Sequence, residues 1–389
     1  MQEAAFRHYP LELLNPSFES PLVDLVTELE LLRKKRLTGS TNPYIFFQLK
    51  SLFHILESIG SARIEGNNTT IAEYVETKLE DRQDDTPSHI LEIQNLELAM
   101  DFIEETIDDT PINKAFLSEL HKMIVFNLPV TGTAEGDRTP GEYRKANIKI
   151  SKSLHLPPDY TKVDEYMDEL LAFINTDHPP KYALLKAAIA HHRFVWIHPF
   201  GNGNGRTVRL FTYAMLIKLG FNVRNGRLLN PTAVFCNNRD NYYRHLAEAD
   251  QGTPEGLEKW CLYVLTGLKE EIEKIDRLLD YDFLKTNILL PTVSISLERQ
   301  LITDTEAKIL RRAIEKQVIQ AGDLKDIFAG KHGSEISRQI SRLVEKKMLR
   351  PHRKQARKYL VSFDNSYLLR GIVKTLNDNG FWADNEKNL

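Results

Sequence analysis

With 389 residues, 42% of them hydrophobic and 27% charged, the chain has enough apolar material for two or three packed domains. A formal net charge of −3 excludes a chain that is basic or acidic throughout, so any strong charge preference must be local. Two cysteines, Cys236 and Cys261, exclude a disulfide framework; with no signal-peptide pattern and no long apolar run to cross a membrane, a cytoplasmic chain with no membrane partner is expected.

Helical periodicity dominates. Leu22, Val23, Val26, Leu29 and Leu32 share one helical face, as do Leu49, Leu52, Ile55 and Ile59. The stretch Asp84 to Pro87 breaks the pattern, which resumes from His89 to about Ile107 and from Asn113 to Phe126. An irregular Thr/Gly/Pro-rich loop is expected over Pro129 to Gly141. A short hairpin follows around Glu142 to Ser153, where Ile148 and Ile150 alternate with polar residues. Further helices are expected over Val163 to Ile174, Tyr182 to Val195, Arg206 to Leu219 with Gly220 as its cap, Asn241 to Glu248, and Pro254 to about Tyr281. Asn287 to Ser296 has a proline and no helical period, so a domain boundary is placed there. Helices over Glu306 to Val318, Ala321 to Phe328 and Ser334 to Lys347, then two short strands between Leu349 and Phe363, give the order of a winged helix-turn-helix.

The densest chemistry lies in His198-Pro-Phe-Gly-Asn-Gly-Asn-Gly-Arg-Thr-Val-Arg209. Glycines at alternate positions free the backbone to point successive N–H groups at an anion, and the loop opens into a helix N-terminus, which favours a phosphate. Arg206 and Arg209 are spaced i, i+3 on that helix and can reach the same anion. His198, at the other edge of the loop, is a candidate general base. The G-x-x-x-x-G-K-[ST] phosphate loop is absent, and a dinucleotide fingerprint would need Gly at Arg206 and an acid downstream, whereas no Asp or Glu occurs between Arg206 and Arg239. His191 and His192 read as structural histidines, since no paired carboxylate or H-E-x-x-H spacing supports a metal.

This segment closely resembles the signature of the Fic (Fido) family, His-Pro-Phe-x-[Asp/Glu]-Gly-Asn-Gly-Arg-x-x-Arg, with one departure. The resemblance implies a mainly α fold, a Fic all-helical core with a short β-hairpin flap, here joined to the C-terminal winged helix-turn-helix. It implies protein adenylylation, in which AMP moves from ATP to a Tyr, Ser or Thr hydroxyl of a target protein or of the chain itself. His198 would deprotonate the hydroxyl. Gly203, Asn204, Gly205 and Thr207 would cradle the phosphates, Arg206 would neutralise the β- and γ-phosphates, Arg209 would hold the γ-phosphate or an inhibitory carboxylate, and Phe200 would anchor the loop. The departure is Asn202, where the family has an acid that binds Mg2+ (or Mn2+). An Asn carbonyl can ligate a hard cation with one negative charge less.

Upstream, Ser61-Ala-Arg-Ile-Glu65-Gly66-Asn67 is similar to the family's inhibitory motif. A carboxylate at Glu65 paired with Arg209 would displace the γ-phosphate; the same sequence also reads as a plain helix end capped by Gly66. Lys152, Ser153, Leu154 and His155 fall where the family places the site-facing end of its flap, which registers a target by strand addition. Tyr242 and Tyr243 resemble the tyrosine pair beside the adenine, with Asp250 a weaker contact. These assignments divide the chain into 1–95 (inhibitory helical region), 96–286 (catalytic core), 297–365 (winged helix-turn-helix) and 366–389 (tail).

From Lys331 to Lys358 ten basic residues face only Glu335 and Glu345, and Arg338, Arg342 and Lys346 recur along one helix face. That pattern suits duplex DNA, while a winged helix also serves protein contacts. A nucleotide-sensing transcription regulator and an enzyme that removes AMP from a modified protein therefore stand beside the adenylyltransferase. The resemblance also implies dimerisation as a common state, and leaves the target protein unnamed.

Overall fold

The structure, a computed structural model, describes residues 4–34, 39–79, 86–130, 135–151, 153–221, 233–236, 238–330, 332–352, 357–363 and 365–381. It is mainly helical and divides into two compact units. The first comprises Met1–Arg36, His54–Thr69 and Asp85–Glu273; the second comprises Leu37–Phe53, Thr70–Asp84 and Lys274–Leu389. The units are not bounded at the sequential positions 95, 286 and 297: among the described residues, 39–53 and 70–79 group with the C-terminal part of the chain.

Among the described residues, eleven α-helices occur up to residue 279: α1 (Pro21–Lys34), α2 (Pro43–Glu65), α3 (Ile71–Leu79), α4 (Ser88–Thr106), α5 (Lys114–Ile124), α6 (Val163–Asn175), α7 (Ala183–Ile197), α8 (Asn204–Lys218), α9 (Ala233–Cys236), α10 (Arg239–Ala249) and α11 (Pro254–Leu279). In the first unit α7 and α8 lie at the centre and pack on each other. Both are buried nearly all round, which is why neither shows a polar face in its sequence. Around them α1 presents Leu22, Leu25, Val26 and Leu29, and α11 presents Trp260, Leu265 and Leu268, to one apolar core with Leu184, Leu185 and Phe235. Trp260 keeps its indole N–H satisfied on the Ala188 carbonyl at 2.7 Å. Gly220, at φ +88°, ends α8 as expected of a C-terminal glycine.

Among the described residues of the expected hairpin at Glu142 to Ser153, no strand is formed. Its backbone is held by side chains instead: Arg144 donates to several loop carbonyls, and the Asn147 amide bridges to Asp159 and to the Tyr160 N–H. The strand pairing found there is a single parallel bridge between Ala5 and His155.

In the second unit α12 (Tyr281–Phe283), a π turn (Leu284–Leu289) and α13 (Leu290–Glu298) occupy the place where a domain boundary was expected. Pro291 is the second residue of α13, so its missing N–H falls at a break in the α ladder and leaves the helix intact. Next come α14 (Asp304–Lys316), started by a Thr303–Glu306 capping box, a 3-10 turn (Ala321–Leu324) in place of the longer helix expected there, and α15 (Gly333–Glu345). Strands β1 (Leu349–Pro351) and β2 (Tyr359–Val361) pair antiparallel, Leu349 opposite Val361, and Ile319 bridges to Tyr359. Residues 366–389, expected as a tail, contain α16 (Leu369–Asp378), which buries Leu369, Ile372, Val373 and Leu376. Among the described residues no helix is long and apolar enough to cross a membrane.

Candidate active site

The loop between α7 and α8 is built by its own sequence and by two flanking segments. His198 ends α7 in the left-handed region (φ +53°, ψ +61°), which a non-glycine residue adopts only when its surroundings hold it there. Arg144 does so: its guanidinium donates to the carbonyls of His198 (2.9 Å), Ala146 (3.0 Å) and Pro158 (2.6 Å), and its own N–H donates to Pro199 (2.8 Å). The His198 ring places Nδ1 3.2 Å from the Val195 carbonyl. A carbonyl can only accept, so Nδ1 carries the proton and Nε2 keeps the lone pair of a base. Burial pushes the His198 pKa down to about 4, against the pull of Glu65, so the imidazole is neutral at pH 7.

Phe200 is fully buried and stacks face to face on His121, with ring centroids 3.8 Å apart. His121 accepts from the Gly141 N–H on Nδ1 and donates from Nε2 to the Asn202 carbonyl at 3.0 Å. Asp137 accepts the Asn202 N–H at 2.7 Å and that of Thr139 at 2.8 Å. The Asn204 side chain bonds both the N–H and the carbonyl of Phe200, each at 2.9 Å, so it locks the loop and is not open to a phosphate. Gly203 sits at φ +71° with Val125 3.1 Å from where a Cβ would be, so both conformation and space require glycine. Thr207, expected at the nucleotide, is buried and donates its hydroxyl to the Gly203 carbonyl (2.8 Å) one turn back; it belongs to the helix start and not to the open site.

The two arginines are both engaged by protein. Arg209 donates from Nε to Ser61 Oγ (2.8 Å) and from Nη2 to the Ser61 carbonyl (2.9 Å) and Glu65 Oε1 (2.8 Å). That carboxylate lies over the first turn of α8, where a Cβ on residue 205 would collide with it. Burial alone would raise the Glu65 carboxyl, but Arg209 and Arg206 hold it below the ordinary carboxylate range. Glu65 is the last residue of α2, and Gly66, at φ +111°, turns the chain away behind it. Arg206 faces Glu92 on α4 and Glu135 before Asp137, each at 3.0 Å.

Other expected contacts fall elsewhere. Tyr242 is core: its hydroxyl is 2.9 Å from His191 Nε2, whose Nδ1 meets Thr212 at 2.7 Å. Tyr243, its neighbour, is 41% exposed, and both rings feel the charges of Glu65 and Arg209. Asp250 pairs with His192 at 2.9 Å and is not open to a nucleoside. Of the flap residues, Lys152 lies outside the described residues, Ser153 is half-buried and Leu154 is exposed. His155 is buried with Nε2 on the Trp196 carbonyl (2.8 Å), not presented to a substrate. The edge expected for strand addition is taken within the chain, with the Ala5 N–H on the Leu154 carbonyl (3.0 Å) and the Leu156 N–H on the Ala5 carbonyl (3.2 Å). Arg144, His121, Asp137, Glu92 and Glu135 were not singled out from sequence, because their partners lie tens of residues away.

The donor set does not fit a protein-held cation. The Asn202 side-chain Oδ1 accepts the Gly203 N–H at 2.7 Å, its amide Nδ2 donates to the Gly136 carbonyl, and among the described residues no cluster of His, Cys, Asp and Glu could hold a metal ion.

The Fic/DOC family model matches residues 111–216. A "Protein adenylyltransferase Fic" of Culex quinquefasciatus is 30% identical over 210 residues, and one of Aedes aegypti 29% over 210 residues. In each case the match takes in 51% of this chain and 37% of the relative, so the chain spans little more than a third of these relatives' length. Among solved structures, a Fic family protein of Desulfovibrio desulfuricans G20 superimposes with a TM-score of 0.52 at 21% identity, covering 91% of this chain and 98% of its own. A Fic domain containing signaling protein of Bacteroides thetaiotaomicron VPI-5482 does so at 0.50 and 17%, covering 66% and 96%. These two show a shared fold.

Proposed function

We propose that the chain, whose residues 111–216 match the Fic/DOC family model, is a protein adenylyltransferase restrained by its own Glu65. The acceptor hydroxyl of a target protein, or of the chain itself, attacks the α-phosphorus of ATP. The bond from that phosphorus to the bridging oxygen breaks, pyrophosphate leaves, and the hydroxyl proton passes to His198 Nε2. The N–H groups opening α8, with Arg206 and Arg209, offset the charge of the triphosphate. A divalent cation enters as part of the substrate, bound to the phosphates, and not as a resident of the protein.

The observation that carries this reading is the Glu65 carboxylate on Arg209 at the start of α8, 2.8 Å from Nη2. A carboxylate seated at a helix N-terminus between two arginines marks an anion site, and while it stays the γ-phosphate cannot settle there. The test is incubation with α- or γ-labelled ATP and Mg2+. Label from the α-position only, lost in His198→Ala, is expected. Transfer of γ-label, or transfer unaffected by His198→Ala, would overturn the proposal.

A second reading rests on the proximity of Glu65 and His198, each of which shifts the other's titration. The pair could activate water to release AMP from a modified protein. Loss of label from protein pre-labelled by Glu65→Gly, on adding wild type but not Glu65→Gln, would select that direction. The regulator reading is weaker, since two residues of the expected basic face are paired: Lys346 with Glu306 (2.7 Å) and Arg338 with Glu335 (3.1 Å). Of the other basic residues, Lys331, Arg353 and Lys354 lie outside the described residues.

A further inference from the structure

Arg206 is fully buried on the first turn of α8 and faces two of the protein's own carboxylates. Its Nη1 lies 3.0 Å from Glu92 Oε1, and its Nη2 lies 3.0 Å from Glu135 Oε2 and donates to the Glu135 carbonyl at 2.7 Å. With Glu65 on Arg209, three carboxylates surround two guanidiniums. With Glu65 removed, Glu92 and Glu135 still offset the two guanidiniums, so the pair offers a triphosphate no net positive charge.

The two partners of Arg206 are not equivalent. Glu92 is 2% exposed, sits on α4, and has its other oxygen held at 2.7 Å by the amide of Asn67, two residues after Glu65. Glu135 belongs to no helix or strand and its side chain is 31% exposed. Burial raises the carboxyls of both, opposed in each case by Arg206. A fixed carboxylate orients its partner, whereas one on an irregular, part-exposed segment can give way to a competing oxyanion.

We propose that Glu135 is a second internal occupant of the phosphate site, displaced from Arg206 when ATP binds, and that Glu92 is a positioning residue that aims Arg206 at the nucleotide. The inference rests on the adenylyltransferase reading and deepens it: the site carries two brakes, one on each arginine, and releasing Glu65 opens only half of it.

Calorimetric binding of ATP, with AMP as the control that lacks β- and γ-phosphates, tests this on the full chain. The variants are Glu65→Gly, Glu65→Gly/Glu135→Gln and Glu65→Gly/Glu92→Gln. Relative to Glu65→Gly, the Glu135→Gln variant is expected to bind ATP about tenfold tighter and the Glu92→Gln variant about tenfold more weakly, with AMP affinity unchanged in both. Unchanged or weaker ATP binding with Glu135→Gln overturns the role of Glu135, and tighter ATP binding with Glu92→Gln overturns that of Glu92. Equal shifts for AMP and ATP overturn the assignment to the outer phosphates. If Glu65→Gly itself binds no ATP, this inference and the adenylyltransferase reading fall together, whereas ATP binding without the Glu135 effect overturns the inference alone.

Discussion

On the proposed reading, His198 is prepared for proton transfer before any substrate arrives. The Val195 carbonyl fixes the tautomer, and Arg144 fixes the left-handed backbone that turns the ring toward the loop. Burial keeps the imidazole neutral by pushing its pKa down to about 4. The charged form is the disfavoured one, so protonation removes the base only in acid. The pH dependence of kcat/KM should rise through an acid limb nearer 4 than the usual 6.5 and stay level through neutrality, provided the free enzyme's base is what titrates. An acid limb at 6 to 7 in a Glu65→Gly background would show that the ring is not held this way. Glu65 has the opposite preference: its carboxyl is held low by the charges of Arg209 and Arg206, so its contact with Arg209 persists at neutral pH and is lost only as pH falls below the ordinary carboxylate range.

At the scale of elements, the loop is fixed by segments far from it in sequence. The stretch around Arg144 has almost no ladder of its own, and a single guanidinium ties it to the end of α7 and to Pro158. Arg144→Ala would leave several buried carbonyls without a donor, at about 1–3 kcal/mol for each one that water cannot reach. A loss of about 3 kcal/mol in chemical denaturation is expected, and no recovery with Lys, which lacks the planar fork; a change under 0.5 kcal/mol would contradict the role given to Arg144. The same dependence explains what could be read from sequence. His198, Gly203, Arg206 and Arg209 were legible because a glycine turn running into a helix N-terminus is local chemistry. Glu65 was legible as a motif, although only the fold shows its carboxylate on Arg209. Tyr242 and Tyr243 could not be told apart, since adjacent helix positions face different ways and the packing decides which is buried. The hairpin expected from Ile148 and Ile150 failed because alternation reports two faces of a strand but not a partner, and here side chains take the backbone groups instead. Glu92 and Glu135 left no trace because a long-range ion pair has no periodicity.

At the scale of the whole molecule, the segment His54–Thr69 packs within the first unit and carries Glu65. In the first unit His54 lies 2.9 Å from Glu104 on α4, and burial of its ring is outweighed by Asp101 and Glu104, which push its pKa up to about 9. A charged histidine therefore fastens the helix there at neutral pH, and Ser61 and Glu65 follow on the same helix to fasten it to Arg209. The central claim is that this contact restrains transfer of AMP by His198. The most direct measurement is incorporation of α-labelled AMP into protein by wild type, Glu65→Gly and Glu65→Gly/His198→Ala at matched ATP. The account predicts severalfold more label with Glu65→Gly than with wild type and none with the double variant. Equal or lower label with Glu65→Gly while ATP binding is intact, or label that survives loss of His198, would contradict it.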